Sequence, residues 1–267
     1  MVIDFHTHTF PDAIADKSMA HLAALSGYTP YTDGRRASLL QSMRRSGVDC
    51  SVVMPVATSP KQLPTINRLS ASLNGRDGIF YAGAIHPDCA DVAQTLDLIR
   101  DSGLFGVKLH PDYQGADFDD PRYLAILQEA AKRGLYVVTH VGKAIGFSGP
   151  ARCTPDMILR VLDRLDGALD GKLILAHLGG IEMPEQVLET LCGLPVWMDT
   201  AAVLDLYPAT CTRIIKKHGA DKILFATDSP WKGQKEYLEL FDALDLTAEE
   251  KQMILGRNAR RILGIDS

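Results

Sequence analysis

The sequence predicts an α/β protein folded as a single closed (β/α)8 TIM barrel, and three observations carry that expectation. Eight short runs rich in β-branched and other apolar residues recur along the 267 residues. The stretches between them carry helical periodicity. No G-x-G-x-x-G turn follows an early strand, as a doubly wound open sheet would more often show. Strands alternating with helices imply right-handed βαβ units and a parallel sheet, and eight units in about 250 residues is the usual size of a barrel. The open sheet stays as the alternative.

In chain order the strand runs are "VIDFH" (2–6), "CSVVMPV" (50–56), "IFYAGAIH" (79–86), "FGVKLH" (105–110), "LYVVTH" (135–140), "KLILAH" (172–177), "PVWMDT" (195–200) and "KILFATD" (222–228). Some 40 residues separate the first two, too many for a plain loop. That connection is expected to hold extra helix covering one mouth of the barrel. Its basic stretch "GRRASLLQSMRR" (34–45) reads as the solvated face of a helix. Later come "ADVAQTLDLIRDSG", "DPRYLAILQEAAKRG", "TPDMILRVLDRLDG" and "PEQVLETLCG". Several open on Asp, Thr or Pro and close on Gly, the residue types that start and stop helices. "TAEEKQMILGRNARRILGI" (247–265) reads as one or two closing helices.

Composition narrows the function. Hydrophobic content is 46% and charged content 23%, and the formal net charge is -5, which leaves no electrostatic footprint for nucleic acid. No apolar run approaches the roughly 18 residues needed to cross a membrane. Nothing between residues 30 and 240 resembles a linker, so one domain over 1–267 in the cytoplasm is expected. The five cysteines are widely spaced and never form C-x-x-C, against a disulfide framework or a thiolate zinc site. A homo-oligomer is allowed by the sequence and not required by it.

Six of the eight histidines (His6, His8, His86, His110, His140, His177) fall at or just past the C-terminal end of a strand run. In a barrel those ends open onto one face. Side chains i and i+2 of a strand share a side, so His6 and His8 point together and Phe5 and Thr7 point away. Taken alone, H-x-H reads equally as two satisfied polar residues. With His140, His177 and Asp228 added, imidazoles and a carboxylate converge on one mouth, the donor set of a divalent metal site. The same parity puts Lys108 below His110, inside the barrel. A buried ammonium there needs a partner: either an acid such as Asp4, or conversion to a carbamate.

The ordered set "DFHTHTF" (4–10), "GAIHPD" (83–88), "GVKLHPDYQG" (106–115), "VVTHVG" (137–142), "LILAHLGG" (173–180), "ILFATDSPW" (223–231) and "ILGRNARRILG" (254–264) resembles the amidohydrolase superfamily. Its amidohydrolase-2 branch holds metal-dependent hydrolases together with aminocarboxymuconate-semialdehyde decarboxylase and related decarboxylases. The resemblance implies that His6, His8, His140 and Asp228 bind a divalent ion, most often Zn2+, with His177 acting near the substrate or holding a second ion. Lys108 stands where two-metal relatives place a bridging carbamate. His86 and His110 match polar positions around the pocket.

From this set the expected activity is hydrolysis of an amide, ester or lactone bond in a small molecule. Three imidazoles and a carboxylate around zinc lower the pKa of a bound water toward about 7. Asp228 would move the proton and His177 would orient the carbonyl. Asp228 also reads as a helix cap in "TDSPW". Tyr113 and Gln114 are placed to touch substrate, as is Trp231, which reads equally as packing. The alternatives are decarboxylation of an aromatic or unsaturated acid by the same centre, and a metal-binding protein without catalysis. The chain is shorter than the usual decarboxylases of the branch, and only Arg152 stands near enough to clamp a substrate carboxylate.

Overall fold

A computed structural model describes residues 1–144 and 146–265 and contains nine short strands: β1 (Ile3–Thr7), β2 (Cys50–Val53), β3 (Ile79–Tyr81), β4 (Gly83–Ala84), β5 (Gly106–Leu109), β6 (Tyr136–Thr139), β7 (Leu173–Leu175), β8 (Trp197–Asp199) and β9 (Ile223–Leu224). Neighbours pair in parallel, in the orders β1-β2-β3 and β4 through β9. β3 and β4 are one run of the expected eight. They are parted only at Ala82, whose N–H donates to the Val53 carbonyl. The ring closes between its last and first strands: Phe5 N–H donates to Phe225 O (2.9 Å), Asp228 N–H to His6 O (2.9 Å) and His8 N–H to Ser229 O (2.6 Å). The eight-stranded barrel predicted from the sequence is therefore present.

The described residues also form twelve α-helices: α1 (Asp12–Ser26), α2 (Arg36–Ser46), α3 (Leu63–Leu73), α4 (Val92–Asp101), α5 (Pro111–Gln114), α6 (Pro121–Lys132), α7 (Pro155–Leu165), α8 (Pro184–Thr190), α9 (Pro208–His218), α10 (Gln234–Asp242), α11 (Ala248–Gln252) and α12 (Asn258–Leu263). The long first connection holds two of them, α1 and α2, as its length required. α7 illustrates how the sequence makes a helix. Thr154 accepts from Met157 N–H, Pro155 takes the first helical position, and Ile158, Val161 and Leu165 repeat at helical spacing and are buried. No described helix is long and apolar enough to cross a membrane.

Two apolar layers result. The outer one joins alternate strand residues, such as Val107, Leu109, Val137 and Leu173, to helix residues such as Leu96, Ile126, Ile158 and Ile214. The inner one is the barrel lumen, with Ile3, Phe5, Val52, Val138, Ile174, Trp197 and Leu224, plugged by Ala259 and Ile262 of α12. The lumen corrects one expectation. Phe5 lies inside the barrel, its ring edge-on to Phe105 at 5.4 Å, so it does not point away from His6. The register between β1 and β2 shifts between Asp4 and Thr7, a bulge that breaks strict alternation.

Asp4 is displaced by the same irregularity. Its carboxylate turns outward, accepting from Thr227 N (2.9 Å), Thr227 Oγ1 (2.7 Å) and Gln234 Nε2 of α10 (2.8 Å). The Lys108–Asp4 pair offered by parity is not formed.

Candidate metal centre

The end of β1 carries His6, and His8 follows it with the ring centroids 5.1 Å apart. His6 Nδ1 lies 2.8 Å from Asp199 Oδ2, at the end of β8, and His8 Nδ1 lies 2.9 Å from the Met54 carbonyl. An ionised carboxylate and a carbonyl only accept, so each ring carries its proton on Nδ1 and turns the Nε2 lone pair the other way. Both lone pairs face Asp228, whose Oδ1 is 3.0 Å from His8 Nε2 and 3.8 Å from His6 Nε2. With Nδ1–H spent on a carbonyl, a neutral His8 has no proton to offer that carboxylate. Lone pairs turned on an anion fit a cation between them, and one ligand atom from each of His6, His8 and Asp228 lies within 4.8 Å of the others. Imidazole and carboxylate donors, with their outer nitrogens fixed by hydrogen bonds, suit a divalent ion.

His140 and His177 form a second group. His177 Nδ1 lies 2.9 Å from Ala201 O, which sets the proton there, and its Nε2 lies 2.9 Å from His140 Nδ1. By the same logic His140 carries its proton on Nδ1, leaving Nε2 as a lone pair. That atom is buried and has no hydrogen-bond partner, as is His110 Nδ1. His110, His140 and Tyr113 form a column of rings, with His110 at 4.2 Å from His140 and 4.0 Å from Tyr113, both stacked. Lys108 lies beneath, its Nζ 3.1 Å from His6 Nε2. The buried partner of Lys108 is therefore an imidazole of the centre.

Burial sets the charge state of these groups. It pulls His6 down to about 4, helped by the Lys108 charge and opposed by Asp199, and it pulls Lys108 down to about 8 against the attraction of Asp199 and Asp228. His110 and His140 are pushed well below the ordinary imidazole value, again by burial first. Burial alone would raise Asp228, but the imidazoles around it, His8 nearest, outweigh it and hold the carboxyl below the usual range. His6, His110 and His140 are thus neutral imidazoles beside an ionised Asp228, the protonation state that binds metal. Two of its residues sit in the left-handed region, His177 at φ 61° and Asp228 at φ 71°. For residues other than glycine that conformation costs of order 1 kcal/mol or more and clusters at functional sites.

The other predicted residues divide. Tyr113 lies on the ring column. His86 is buried, and its Nδ1 accepts from Asp88 N–H at 3.1 Å in the loop after β4. Trp231 N–H donates to the Asp228 carbonyl, and its side chain lines a cleft of about 330 Å³ with Tyr28, Tyr31 and Lys232 on the outer rim. Gln114 has no atom free for a substrate, because Oε1 accepts from His110 N and Tyr123 OH while Nε2 donates to Ala57 O and Ile85 O. The Arg152 guanidinium pairs with Asp117 at 3.1 Å. Asp228 does not cap the next helix, which starts at Gln234 with Gly233 before it. Two acids carry more than the sequence discloses: Asp199, which fixes His6, and Asp112, buried behind His140 with Oδ2 3.9 Å from His140 Nε2. A carboxylate at a strand end was the one signal for Asp199, and nothing but its place in "HPDYQG" marks Asp112.

Comparison with known proteins agrees with this architecture. The profile of the family described as Amidohydrolase matches residues 3–265. No curated protein sequence matches the chain. Among solved structures, 2,6-dihydroxybenzoate decarboxylase from Rhizobium superposes with TM-score 0.74 at 17% identity, covering 100% of this chain and 99% of its own. A 5-carboxyvanillate decarboxylase variant from Novosphingobium aromaticivorans, crystallised with manganese, gives 0.72 at 14%, covering 99% and 97%. A putative 2-pyrone-4,6-dicarboxylic acid hydrolase from Pseudomonas putida gives 0.67 at 19%, covering 100% and 98%.

Proposed function

Because the chain belongs to the amidohydrolase-2 family of metal-dependent enzymes, we propose that it is a decarboxylase of a flat, unsaturated ring acid, working without hydrolysis. The observation that carries this reading is the ring column. His140, His110 and Tyr113 stack beside the His6–His8–Asp228 trio, so the wall next to the charged centre is aromatic and suits a planar substrate. The three neighbours described above act, by name, on ring carboxylates, and two of them are decarboxylases. Hydrolysis, the first expectation from the sequence, becomes the second reading.

His6, His8 and Asp228 would hold the divalent cation, zinc or manganese, and the unpartnered His140 Nε2 is the donor left for a second ion. When bound, the cation supplies Lewis acidity that draws the substrate's oxygens into register. The remaining work falls to side chains. Asp199 keeps His6 in one tautomer, and the Met54 and Ala201 carbonyls do the same for His8 and His177. Asp228, ionised at neutral pH, takes a proton from the substrate's hydroxyl or from solvent and delivers it to the ring carbon that bears the carboxylate. The bond from that carbon to the carboxylate then breaks. Its electron pair returns to the ring, and CO2 leaves. The neutral column excludes water from the carbon being protonated.

The hydrolytic reading would act on a ring lactone bearing a carboxylate, and the similarity to the putative pyrone-dicarboxylic acid hydrolase favours it. Protein loaded with zinc or manganese and given hydroxybenzoates and pyrone carboxylates decides between them. One CO2 per substrate consumed supports decarboxylation. Acid production with no CO2 would replace it with hydrolysis, and Asp228→Asn should abolish either.

A further inference from the structure

The segment after β6 hangs from a single side chain. Asp112, 2% exposed and on the single turn of α5, accepts from Ala144 N–H on Oδ2 (3.0 Å) and from Arg152 N–H on Oδ1 (2.9 Å). One carboxylate therefore ties both limbs of an excursion that leaves β6 and returns to α7. Below those ties the limbs meet directly, Gly142 N–H donating to Cys153 O at 2.8 Å, and Phe118 N–H holds the Arg152 carbonyl at 2.8 Å. Above them the excursion carries Phe147, half-buried, with its ring 6.0 Å from Tyr113 and tilted by 52°. Its neighbour Gly146 abuts the end of α1, where an added Cβ would lie 3.0 Å from Leu25 Cβ. Phe147 thus sits at the outer end of the His140–His110–Tyr113 column. The Asp112 charge meets no arginine or lysine side chain among its hydrogen bonds; both oxygens are spent on backbone.

We propose that Asp112 is a positioning residue that holds Phe147 as the specificity-determining cover of the ring wall. The anchoring is independent of the chemistry at the centre, whereas the specificity role rests on the ring-acid reading above. A carboxylate suits this task because two backbone N–H groups approach from different limbs and each needs an acceptor. An amide in its place would serve one and confront the other with its own N–H. The cover itself is apolar, so it selects for flat, apolar ring faces and contributes nothing to proton movement.

Trypsin reads the anchor directly in the full chain. The Lys143–Ala144 bond and the bond after Arg152 flank the two N–H groups that Asp112 holds, and Lys143 is exposed. Asp112→Ala should raise the rate of cleavage at these bonds by about ten-fold or more, with Asp112→Asn between it and the wild type. Bound metal should be unchanged in Phe147→Ala, which leaves Asp112 and the centre in place. On a ring acid that the protein turns over, Phe147→Ala should raise KM by about ten-fold with kcat within about three-fold. Cleavage rates equal to wild type in a folded Asp112→Ala protein would overturn the anchor. A fall in kcat with KM unchanged would overturn the cover, and so would a Phe147→Ala protein with wild-type KM. If no ring acid is turned over by the wild type, the function proposed above fails, and the cover with it, while the cleavage pattern still decides the anchor.

Discussion

At the scale of single residues, the proposed metal centre would depend on side chains that do not themselves touch an ion. Asp199 accepts from His6 Nδ1 and from the backbone of His177 and Ala201. Asp199→Asn places an amide N–H against His6 Nδ1, and the ring answers by moving its proton to Nε2, the ligand atom. Metal affinity is expected to fall about 10- to 100-fold, measured by competition with a chelating dye. Acid should act on the metal-free protein through the buried imidazoles. His6, drawn down to about 4, binds fewer protons folded than unfolded between there and its ordinary 6.5, so stability rises with pH across that window and is lost as pH falls through it. His110 and His140 share the sign. His86 and His218, also lowered by burial, share it too, whereas Asp4, raised by burial to about 6, and Asp112, raised by burial as well, have the opposite sign, two carboxyls against five imidazoles. The melting temperature of metal-free protein should therefore drop between pH 7 and pH 5. Of these residues, the grouping of His6, His8 and Asp228 was legible because strand ends plus histidine make a pattern. Asp199 and Asp112 were not, since their roles are defined by partners some 190 and 30 to 40 positions away.

At the scale of elements, the hexapeptide His110–Gly115 does more than its four helical residues imply. Gln114 joins α5 to the loops after β2 and β4 and to Tyr123 of α6, with all four of its hydrogen-bonding positions filled. Gln114→Leu leaves those buried groups unpaired, and a loss of about 3 kcal/mol or more is expected in urea unfolding. Gly142, at φ 95°, bridges to Ile181, and a Cβ there would lie 2.3 Å from the Ile181 carbonyl. Gly142→Ala should push apart the segments that follow His140 and His177 and lower metal content as well as stability. The starts of α4, α6, α7 and α8 could be read in advance from Asp, Thr and Pro. The side chain directions in β1 could not, because a bulge is one extra residue of backbone and alternation assumes none.

At the scale of the whole molecule, the barrel was readable from the spacing of its apolar runs, whereas the splitting of the third run into β3 and β4 depends on a local break at Ala82. Binding a divalent ion to the native protein alone should raise the melting temperature by about 5 to 10 °C at 100 times its Kd, roughly 2.7 kcal/mol. Calorimetry with and without chelator checks this, and His8→Ala should remove the response. The ring is completed where β9 meets β1, and His6, His8 and Asp228 straddle that seam. On the proposed reading, a cation there would clasp the first barrel strand to the last. During synthesis His6 and His8 would then wait for Asp228 to emerge from the ribosome, so loading would follow translation.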